Sequence, residues 1–380
     1  MTQICKRVLI VSNSAGLITD FLENDFTIYC NKGYRIECAC NMKFTGRDSA
    51  SFFEKFGVQP YNIGFPIREL NISDILESYK QLKKILENNK YDVIHCHSTI
   101  AAAIARECVR KNKSKIKVIY TSHGLPFYEG CQDKKAILYK AVEKYFSRYT
   151  DAMITVCNED YINAKKMCCK EVYKINGVGV DFERFNIPNF DRNEYRAKLG
   201  LRDDRKYILS IGELNTNKNH RVVIEALSKL GNREIIYLIC GRELTEIGKK
   251  EELENLASSL GVDVTFLGFR SDIPQICMCV DIGAFPSYKE GLGLSGIEML
   301  RAGIPIVASN RQGIKDYVKD GVTGYLCDPS DSKSFAEGIE KTFLLKNDAE
   351  TRKNCIKMAE SYSKDEVLLN MKKIMREILG

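Results

Sequence analysis

The amino-acid sequence predicts an α/β protein made of two domains, each built on a parallel β-sheet covered by helices. The chain has 380 residues, more than a single hydrophobic core usually serves, so two domains are expected. Short β-branched runs alternate with amphipathic stretches from end to end, which is the pattern of a parallel sheet with helices on both faces. The alternation pauses once, and this pause predicts the boundary between the domains.

The predicted strands are short runs of apolar, mostly β-branched residues bounded by polar or glycine-containing turns. In chain order they are RVLIVS (7–12), DVIHCH (92–97), KVIYTS (117–122), AMITV (152–156), KYILSIG (206–212), IIYLICG (235–241), DVTFLG (263–268), DIGAFPS (281–287) and IPIVAS (304–309).

The pause follows NGVGVDFERFNIPNF (176–190), where glycine, proline and charged residues gather. We therefore expect a first domain over residues 1–190 and a second over residues 191–360. The stretch 361–380 has apolar residues at helical spacing and is expected to form a final helix. Ligands of open parallel sheets bind beyond the carboxyl ends of the strands, so the active site is expected in a cleft between the domains.

The composition is that of a soluble globular protein, with 44% hydrophobic and 28% charged residues. No window reaches the roughly 18 consecutive apolar residues of a membrane-spanning helix. The apolar run VLIVS that follows Lys6 and Arg7 is too short for a signal peptide. We therefore expect a cytoplasmic protein.

The 15 cysteines are scattered through apolar segments, where a reduced thiol behaves as a small hydrophobic side chain. Pairs such as Cys38 and Cys40 lack the spacing of zinc-binding motifs, and a reducing compartment suits them. The HCH segment has a metal-like composition, but on a strand His95 and His97 share one face while Cys96 points to the other. We expect no metal site there, and a packed or functional histidine instead.

The net charge of +7 is concentrated in two stretches of the first predicted domain. In residues 106–117 a single acid, Glu107, is outnumbered by Arg106, Arg110, Lys111, Lys113, Lys115 and Lys117. Residues 134–149 combine lysines with apolar residues at helical spacing. Two interpretations remain open: a helix that lies on an anionic membrane surface, or a core-facing helix with a solvated lysine face. Nucleic-acid binding is not expected, because no binding module is recognisable.

The first predicted strand is followed by SNSAGL (12–17) and not by the GxGxxG turn of dinucleotide-binding proteins. A dinucleotide-dependent oxidoreductase is therefore disfavoured. Gly16 in this turn can still bring the backbone close to a phosphate group.

A second candidate phosphate contact follows the first strand of the second domain, in SIGELNTNKNH (210–220). The chain leaves the strand through Gly212 and is expected to enter a helix near Lys218. The helix macrodipole favours anions at that end, so a lysine is poorly placed there by itself. A phosphate between Lys218 and the helix N-terminus would account for it.

The stretch KEGLGLSGIEML (289–300) places two carboxylates around the predicted start of another helix. Gly291 and Gly293 let the backbone approach a ligand, and the first N–H groups of a helix that begins near residues 292–294 can bind its anion. Glu290 precedes this helix and Glu298 lies one to two turns inside it. Both carboxylates are therefore candidate ligand-binding groups.

Together these segments resemble family 4 of the retaining glycosyltransferases, which have the GT-B fold of two Rossmann-like domains facing a central cleft. In the second domain the resemblance is carried by EGLGLSGIE, by GELNTNKNH and by GVTGYLCDPSD (321–331). In the first domain DVIHCHSTIAAAIAR (92–106), YTSHGLPFYEG (120–130) and NGVGVDFERF (176–185) are similar to segments of bacterial capsule and exopolysaccharide transferases. The resemblance covers essentially the whole chain.

The resemblance implies roles for matching residues, and it implies that the C-terminal helix crosses back to the first domain. Glu298 would bind the ribose hydroxyls, Lys218 would stabilise the departing diphosphate, and the loop 266–273 would seat the base. For His123 two roles remain open: a catalytic residue, or a histidine that only packs against its neighbours. The implied catalytic residues are His123, Lys218 and Glu290, and the implied donor-binding residues are Gly16, Gly212, Lys218, Gly241, Gly268, Phe269, Glu290, Gly291, Leu292, Gly293, Leu294 and Glu298.

One residue departs from the family pattern. Relatives carry an arginine after the glycine that corresponds to Gly212, whereas this chain has Glu213. A carboxylate about 4 Å from a phosphate would cost about 4 kcal/mol at an effective dielectric constant of 20. Glu213 could rotate away or pair with a cation, and we expect a pair with Lys218 or Arg242.

The predicted function is that of a retaining, metal-independent hexosyltransferase without a cofactor. It would move a hexose or N-acetylhexosamine from a nucleotide sugar, UDP-linked, to a lipid-linked saccharide acceptor in surface polysaccharide biosynthesis. Its expected place is the inner face of the cell membrane, with peripheral contact to anionic lipid. Two alternatives stay open: a sugar-nucleotide epimerase of the same fold, and a catalytically silent nucleotide-sugar-binding protein, which Glu213 motivates.

Overall fold

The computed structural model describes residues 5–46, 48–67, 71–112, 115–131 and 133–380. The chain divides into two compact units, one made of Met1–Val178 with Val367–Gly380 and the other of Gly179–Glu366. Lys113, part of the first basic stretch, lies outside the described residues.

The first unit is built on a seven-stranded sheet in the order β3-β2-β1-β4-β5-β6-β7, in which neighbouring strands pair in parallel. Its strands are β1 (Arg7–Val11), β2 (Arg35–Cys40), β3 (Tyr61–Asn62), β4 (Val93–His97), β5 (Lys117–Ser122), β6 (Ala152–Thr155) and β7 (Glu171–Lys174). Its helices are α1 (Ala15–Phe21), α2 (Glu23–Asn31), α3 (Ser49–Lys55), α4 (Ile72–Asn88), α5 (Thr99–Asn112), α6 (Ala136–Phe146) and α7 (Asn158–Lys165).

The second unit is built on a six-stranded sheet in the order β10-β9-β8-β11-β12-β13, again with parallel neighbours. Its strands are β8 (Lys206–Ile211), β9 (Ile235–Cys240), β10 (Asp263–Gly268), β11 (Ile282–Phe285), β12 (Ile306–Ser309) and β13 (Gly324–Cys327). Its helices are α8 (Arg192–Lys198), α9 (His220–Leu230), α10 (Lys249–Leu260), α11 (Ile273–Cys279), α12 (Leu294–Arg301), α13 (Ile314–Tyr317), α14 (Ser332–Leu345) and α15 (Ala349–Glu360). Helix α16 (Lys364–Leu379) follows.

Every strand predicted from the sequence is present, with ends that shift by no more than two residues. The central strands are buried along most of their length, as expected for parallel sheets covered on both faces. Strands β2, β3, β7 and β13 were not predicted. In β2 the charge of Glu37 interrupts the apolar run, but the fold buries this carboxylate and gives it hydrogen bonds from Arg7, Tyr61 and Tyr91.

The first unit ends at Val178, earlier than the predicted boundary at residue 190. Residues 179–190 belong to the second unit because they pack on it: the Val180 backbone bridges to Ser363, and Phe185 is buried in the core of that unit. The irregular composition that indicated a linker therefore belongs to a segment with tertiary contacts of its own.

Helix α16 begins in the second unit and its C-terminal part belongs to the first. The predicted apolar face is buried, and Met371, Ile374 and Ile378 pack with the core that lies beneath β1 and α2. The crossing of the final helix to the first domain, expected from the family resemblance, is confirmed by these contacts.

The two basic stretches meet through a buried ion pair. The Arg106 guanidinium lies 2.9 Å from the Glu143 carboxylate, and both side chains have no exposed surface. Arg106 was expected to belong to a basic surface; this is wrong, because Glu143 on α6 draws it into the interior. The side of α6 opposite Glu143 exposes Ile137 by 80% and Leu138 by 57%.

Candidate functional site

The carboxyl ends of β9, β8 and β11 are neighbours in the second sheet, and the loops that follow them are held together by backbone contacts. The Tyr288 N–H donates to the carbonyl of Asn217, and the Asn217 amide donates to the carbonyl of Lys289, at 2.9 and 3.0 Å. Parallel strands bring their carboxyl-end loops to one edge of the sheet, which is where ligands of such sheets bind. These loops form the floor of the candidate site.

Two glycines let the backbones of the loops after β8 and β9 approach each other closely. A Cβ on Gly241 would lie 1.7 Å from the Gly212 carbonyl oxygen, and a Cβ on Gly212 would lie 3.1 Å from the Lys218 side chain. Gly241 is therefore required by the contact between two backbones. Gly212 leaves room for the aliphatic part of Lys218. Whether either glycine contacts a nucleotide stays a prediction.

Lys218 lies just before α9, which begins at His220, two residues later than the start expected near Lys218 itself. Asn219 between them adopts a left-handed conformation with φ of 53°, and its amide donates to two loop carbonyls. This turn directs the Lys218 ammonium to the Glu290 carboxylate at 2.5 Å. Both side chains are largely buried, so the structure brings together two of the predicted catalytic residues.

Helix α12 begins at Leu294, as the sequence predicts, and its N-cap is Gly293 with φ of 83° and no capping side chain. A Cβ at Gly293 would lie 2.4 Å from the Phe285 ring, so only glycine fits. The uncapped first N–H groups of α12 follow Glu290 and Gly291 directly. This combination of a helix N-terminus without a capping side chain and a nearby lysine suits a phosphate group.

Glu298 projects from α12 and is paired with a residue that sequence reasoning missed. Its Oε1 atom lies 3.1 Å from the Arg184 guanidinium, which also donates to the Ser271 carbonyl at 3.4 Å. Arg184 thus connects Glu298 with the loop 266–273, the predicted base-binding loop. The pairing joins residues far apart in sequence, so spacing within a motif could not reveal it.

The predicted base-binding loop presents an exposed aromatic ring. Gly268 has φ of 67°, and the Phe269 side chain that follows is 50% exposed. The Arg242 guanidinium, after β9, lies 5.1 Å from the centre of this ring, a cation–π distance. One face of Phe269 is therefore occupied by Arg242.

The expected pairing of Glu213 with Lys218 or Arg242 is wrong. Among the described residues neither cation lies within ion-pair distance of its carboxylate. Glu213 instead accepts a hydrogen bond from the Thr245 hydroxyl. The reason is that Lys218 is drawn to Glu290 and Arg242 to Phe269, so Glu213 turns to the loop after β9.

In the first unit His123 directly follows β5 and hydrogen bonds to His97, with 3.1 Å between its Nε2 and the His97 Nδ1. Burial lowers the pKa of His123 to about 4, so the ring is neutral at physiological pH. A neutral imidazole can donate or accept one hydrogen bond on its second nitrogen. The catalytic role of His123 stays a prediction.

Gly16 lies in the first turn of α1, and its N–H donates to the carbonyl of Phe44 at 2.8 Å. This N–H is therefore engaged within the protein. A Cβ at this position would lie 3.0 Å from the Gly46 backbone, so the glycine serves a close approach of two segments. Its contact with a donor stays a prediction.

Beside the HCH segment the fold adds an acid that the sequence did not indicate. One oxygen of Asp25 on α2 and one ring nitrogen each of His95 and His97 lie within 4.8 Å of one another, and all three residues are buried. The two histidines share one face of β4, as predicted, with ring centroids 4.3 Å apart. Asp25 was missed because it is distant in sequence. That the reaction needs no metal stays a prediction.

Comparison with known proteins decides the family. A glycosyl transferase 4-like model matches residues 17–157, and the model of group 1 glycosyl transferases matches residues 191–362. EpsD of Bacillus subtilis, which is named as a glycosyltransferase, is 34% identical over 305 residues, 77% of this chain and 79% of EpsD. The chain belongs to the family 4 type of glycosyltransferases. Its GT-B fold and its class of activity follow from this membership.

Other relatives of this glycosyltransferase are more distant. The UDP-Gal:alpha-D-GlcNAc-diphosphoundecaprenol alpha-1,3-galactosyltransferase of Escherichia coli is 28% identical over 72% of this chain and 71% of its own length. The crystal structure of Anabaena HepE in complex with UDP has a TM-score of 0.77 at 19% identity, and covers 98% of this chain and 100% of HepE. WaaG, described as a glycosyltransferase involved in lipopolysaccharide biosynthesis, has a TM-score of 0.70 at 18% identity over 98% of this chain and 100% of WaaG. The structural likenesses support the GT-B fold.

In the described part of this glycosyltransferase, no helix is both long enough and apolar enough to cross a bilayer.

Proposed function

We propose that the chain is a retaining hexosyltransferase that moves a hexose or N-acetylhexosamine from a UDP-sugar to a lipid-linked saccharide in the synthesis of a surface polysaccharide. The observation that carries the proposal is the arrangement at the edge of the second sheet. There Glu290, Lys218 and the N-terminus of α12 lie together, with Glu298 farther along the same helix. A nucleotide sugar offers hydroxyl groups at its ends and phosphates in its middle, and this arrangement matches that order.

Each charged group has a distinct task in the proposed reaction. Glu298 accepts hydrogen bonds from the ribose hydroxyls, and Glu290 holds the donor sugar. Lys218 supplies positive charge where the departing diphosphate gains negative charge, assisted by the N–H groups from Gly291 to Leu294. No metal is needed in this scheme, because the ammonium and the helix N-terminus provide the positive charge.

Two observations on related proteins support the choice of donor and acceptor. HepE was crystallised with UDP, and the E. coli relative is named for transfer from UDP-galactose to a diphosphoundecaprenol-linked sugar. WaaG points to the same area of metabolism, since it is described as a glycosyltransferase involved in lipopolysaccharide biosynthesis. A UDP-sugar donor and a polyprenyl-diphosphate-linked acceptor are therefore the first pair to try.

A lipid-linked acceptor also gives a reason for the exposed side of α6. This side presents Ile137 and Leu138, with Tyr145 42% exposed, between lysines at both ends of the helix. Apolar side chains flanked by lysines suit the interface of an anionic membrane. We therefore place the enzyme in the cytoplasm, at the inner face of the cell membrane, with α6 in peripheral contact with lipid.

The experiment that tests this function is a transfer assay with purified protein, a panel of UDP-hexoses and UDP-N-acetylhexosamines, and polyprenyl-diphosphate-linked saccharides. We expect one added sugar on the lipid acceptor, and the anomeric configuration of the donor in the product. UDP release without any acceptor, or isomerised free sugar, would favour the epimerase. Binding of UDP-sugars without turnover on the whole panel would favour a silent binding protein. An inverted anomer would contradict the retaining mechanism.

A further inference from the structure

A cavity of about 460 Å³ lies at the amino ends of three strands of the first unit. Among its lining residues, Lys117 begins β5, Asp151 directly precedes β6 and Lys170 directly precedes β7. These strands run parallel, so His123, which follows β5, lies at the opposite edge of the sheet. The function proposed above makes no use of this cavity.

The cavity is lined by five cationic side chains and a single carboxylate, that of Asp151. The cations come from the end of α5, the segment that leads into β5, the turn after α6 and the segment before β7, and they are Arg110, Lys115, Lys117, Arg148 and Lys170. A concave surface lined by charges of one sign focuses the electric field and attracts ions of the opposite sign. The cavity is therefore suited to an anion.

The contacts within the protein compensate this charge only in part. Three of the cations have a partner, which is Glu107 for Arg110, Asp151 for Lys170 and the Ile378 carbonyl for Lys117. Lys115 and Arg148 have no ion pair in the part of the chain that the structure describes. Five cations against two carboxylates leave an excess of three positive charges, which an anion with more than one negative charge would balance.

The size and chemistry of the cavity suit a phosphate group. Its volume lies in the range of about 300–1,000 Å³ that is usual for small-molecule sites. Guanidinium and ammonium groups are the usual protein partners of phosphate oxygens. A phosphate monoester carries a charge of about −1.5 to −2 at pH 7, whereas a phosphodiester carries a single negative charge. The charge excess therefore favours a monoester.

Aromatic rings connect the cavity with the exposed apolar side of α6. Tyr149 lines the cavity, and its ring centre is 5.9 Å from that of Tyr145, which is 42% exposed at the end of α6. Leu138 is seven residues before Tyr145 and lies on the same side of the helix. Tyrosine rings are enriched at the interface between a membrane and water. The anion site is thus continuous with a surface suited to lipid.

We propose that this cavity binds the headgroup of an anionic lipid that ends in a phosphate monoester, while the exposed side of α6 lies against the same bilayer. Basic pockets next to a membrane surface bind phosphorylated headgroups in this way. The inference rests on the proposed function in one respect, namely that α6 contacts lipid, and it does not depend on sugar transfer.

Vesicle sedimentation tests the preference for a monoester. Phosphatidylcholine vesicles that contain phosphatidic acid, a monoester, are compared with vesicles that contain phosphatidylglycerol, a phosphodiester, at equal total surface charge. We expect tighter binding to phosphatidic acid, because its charge is concentrated on one group that the cavity can surround. Equal binding to the two kinds of vesicle would overturn the proposal, since the protein would then sense surface charge alone.

Variants of the two cations without ion pairs test the location of the site. Each basic residue near an anionic surface contributes about fivefold in affinity, so Lys115→Gln with Arg148→Gln should bind phosphatidic acid vesicles about 25-fold more weakly and lose the preference. Lys115→Arg with Arg148→Lys keeps the charge and should keep the preference. The matched control is Lys80→Gln with Lys84→Gln, which removes two exposed lysines of α4 and should also keep it. Loss of the preference in the control as well would show that the cavity is not the site.

Calorimetry with monomeric dihexanoyl phosphatidic acid and with inorganic phosphate separates the two sources of a phosphate. We expect the short-chain lipid to bind, also when Ile137 and Leu138 are replaced by aspartate, and to bind more weakly to the variant without Lys115 and Arg148. Inorganic phosphate that binds as tightly as the lipid would assign the cavity to a free anion and overturn the proposal. Displacement of the protein from phosphatidic acid vesicles by a short RNA would favour nucleic acid and overturn it too. No readout requires sugar transfer, so a failed transfer assay would leave these results intact.

Discussion

At the scale of single residues, the candidate site consists of charges that hold one another in place. Glu290 is paired with Lys218, and Glu298 with Arg184. Both carboxylates are therefore positioned before a ligand arrives, and a nucleotide sugar exchanges or extends existing hydrogen bonds. The sequence indicated Glu290 and Glu298 because glycines lie close to them, and Lys218 because it lies at a predicted helix start. It could not indicate Arg184, since only the fold brings this residue to Glu298.

The ribose contact can be tested by changing one atom of Glu298. Glu298→Gln keeps the size of the side chain but replaces a charged acceptor, so the binding free energy of UDP should weaken by about 1.5–3 kcal/mol, the value of a hydrogen bond to a charged group. Isothermal calorimetry with UDP measures this. The control is Glu337→Gln on an exposed part of α14, which should bind as the wild type. Equal affinity of Glu298→Gln and the control would remove Glu298 from the site.

Lys218 should affect turnover more than binding. The negative charge on the diphosphate grows as the sugar departs, so Lys218→Ala should lower kcat by about 10²- to 10³-fold, with a smaller change in the dissociation constant of the UDP-sugar. Rates at saturating donor and calorimetry give the two numbers. Lys229→Ala, at an exposed lysine near the end of α9, should leave both unchanged. Equal losses in binding and turnover would mean that Lys218 only positions the donor.

At the scale of elements, the strands were the part of the fold that the sequence predicted best. A buried parallel strand needs an uninterrupted apolar run, and β1 and β9 have one. The sequence failed where tertiary contacts override the local pattern: Glu37 is acceptable inside β2 because three donors reach it. It failed in the same way at α9, because the left-handed Asn219 delays the helix start beyond Lys218.

The turn before α12 depends on a residue without a side chain. Gly293→Ala combines the left-handed backbone penalty of about 1–2 kcal/mol with a clash against Phe285, which adds about 1–3 kcal/mol. Chemical denaturation should show the summed loss in the free energy of unfolding. The matched control is Gly200→Ala, where φ is also positive but a Cβ meets no atom within 4 Å, so only the first penalty applies. Equal losses in the two variants would show that Phe285 yields and that the turn is not tightly packed.

At the scale of the whole molecule, the residue pattern predicted two parallel-sheet units but placed the boundary at 190 and not at 178. The return of the last helix was implied by the family resemblance and not by the pattern. Composition indicates where regular structure pauses, yet it does not reveal to which core an irregular segment attaches. The same limit applies to Arg106, which is basic in sequence but buried against Glu143 in the fold. The charge pattern alone could not decide whether α6 lies on an anionic membrane surface or only carries solvated lysines. The fold leaves Ile137 and Leu138 exposed, so the open question is whether these two side chains contact lipid.

Contact with lipid can be tested by placing charges on the exposed side of α6. The wild type should sediment with anionic vesicles, and less so at high salt, because surface charges are screened within about 8 Å at physiological ionic strength. Replacing Ile137 and Leu138 by aspartate should abolish sedimentation. The control is Ile247→Asp, at a residue of the second unit that is 86% exposed, which should still sediment. Absence of binding by the wild type at either salt would return the lysines of α6 to an ordinary solvated surface.

The most direct test of the donor site is a crystal structure of the chain with UDP. We expect the ribose hydroxyls within hydrogen-bond distance of the Glu298 carboxylate, phosphate oxygens on Lys218 and on the first N–H groups of α12, and the base against the loop 266–273. UDP bound elsewhere, or bound in the second unit without contact to Glu298 and Lys218, would contradict the account.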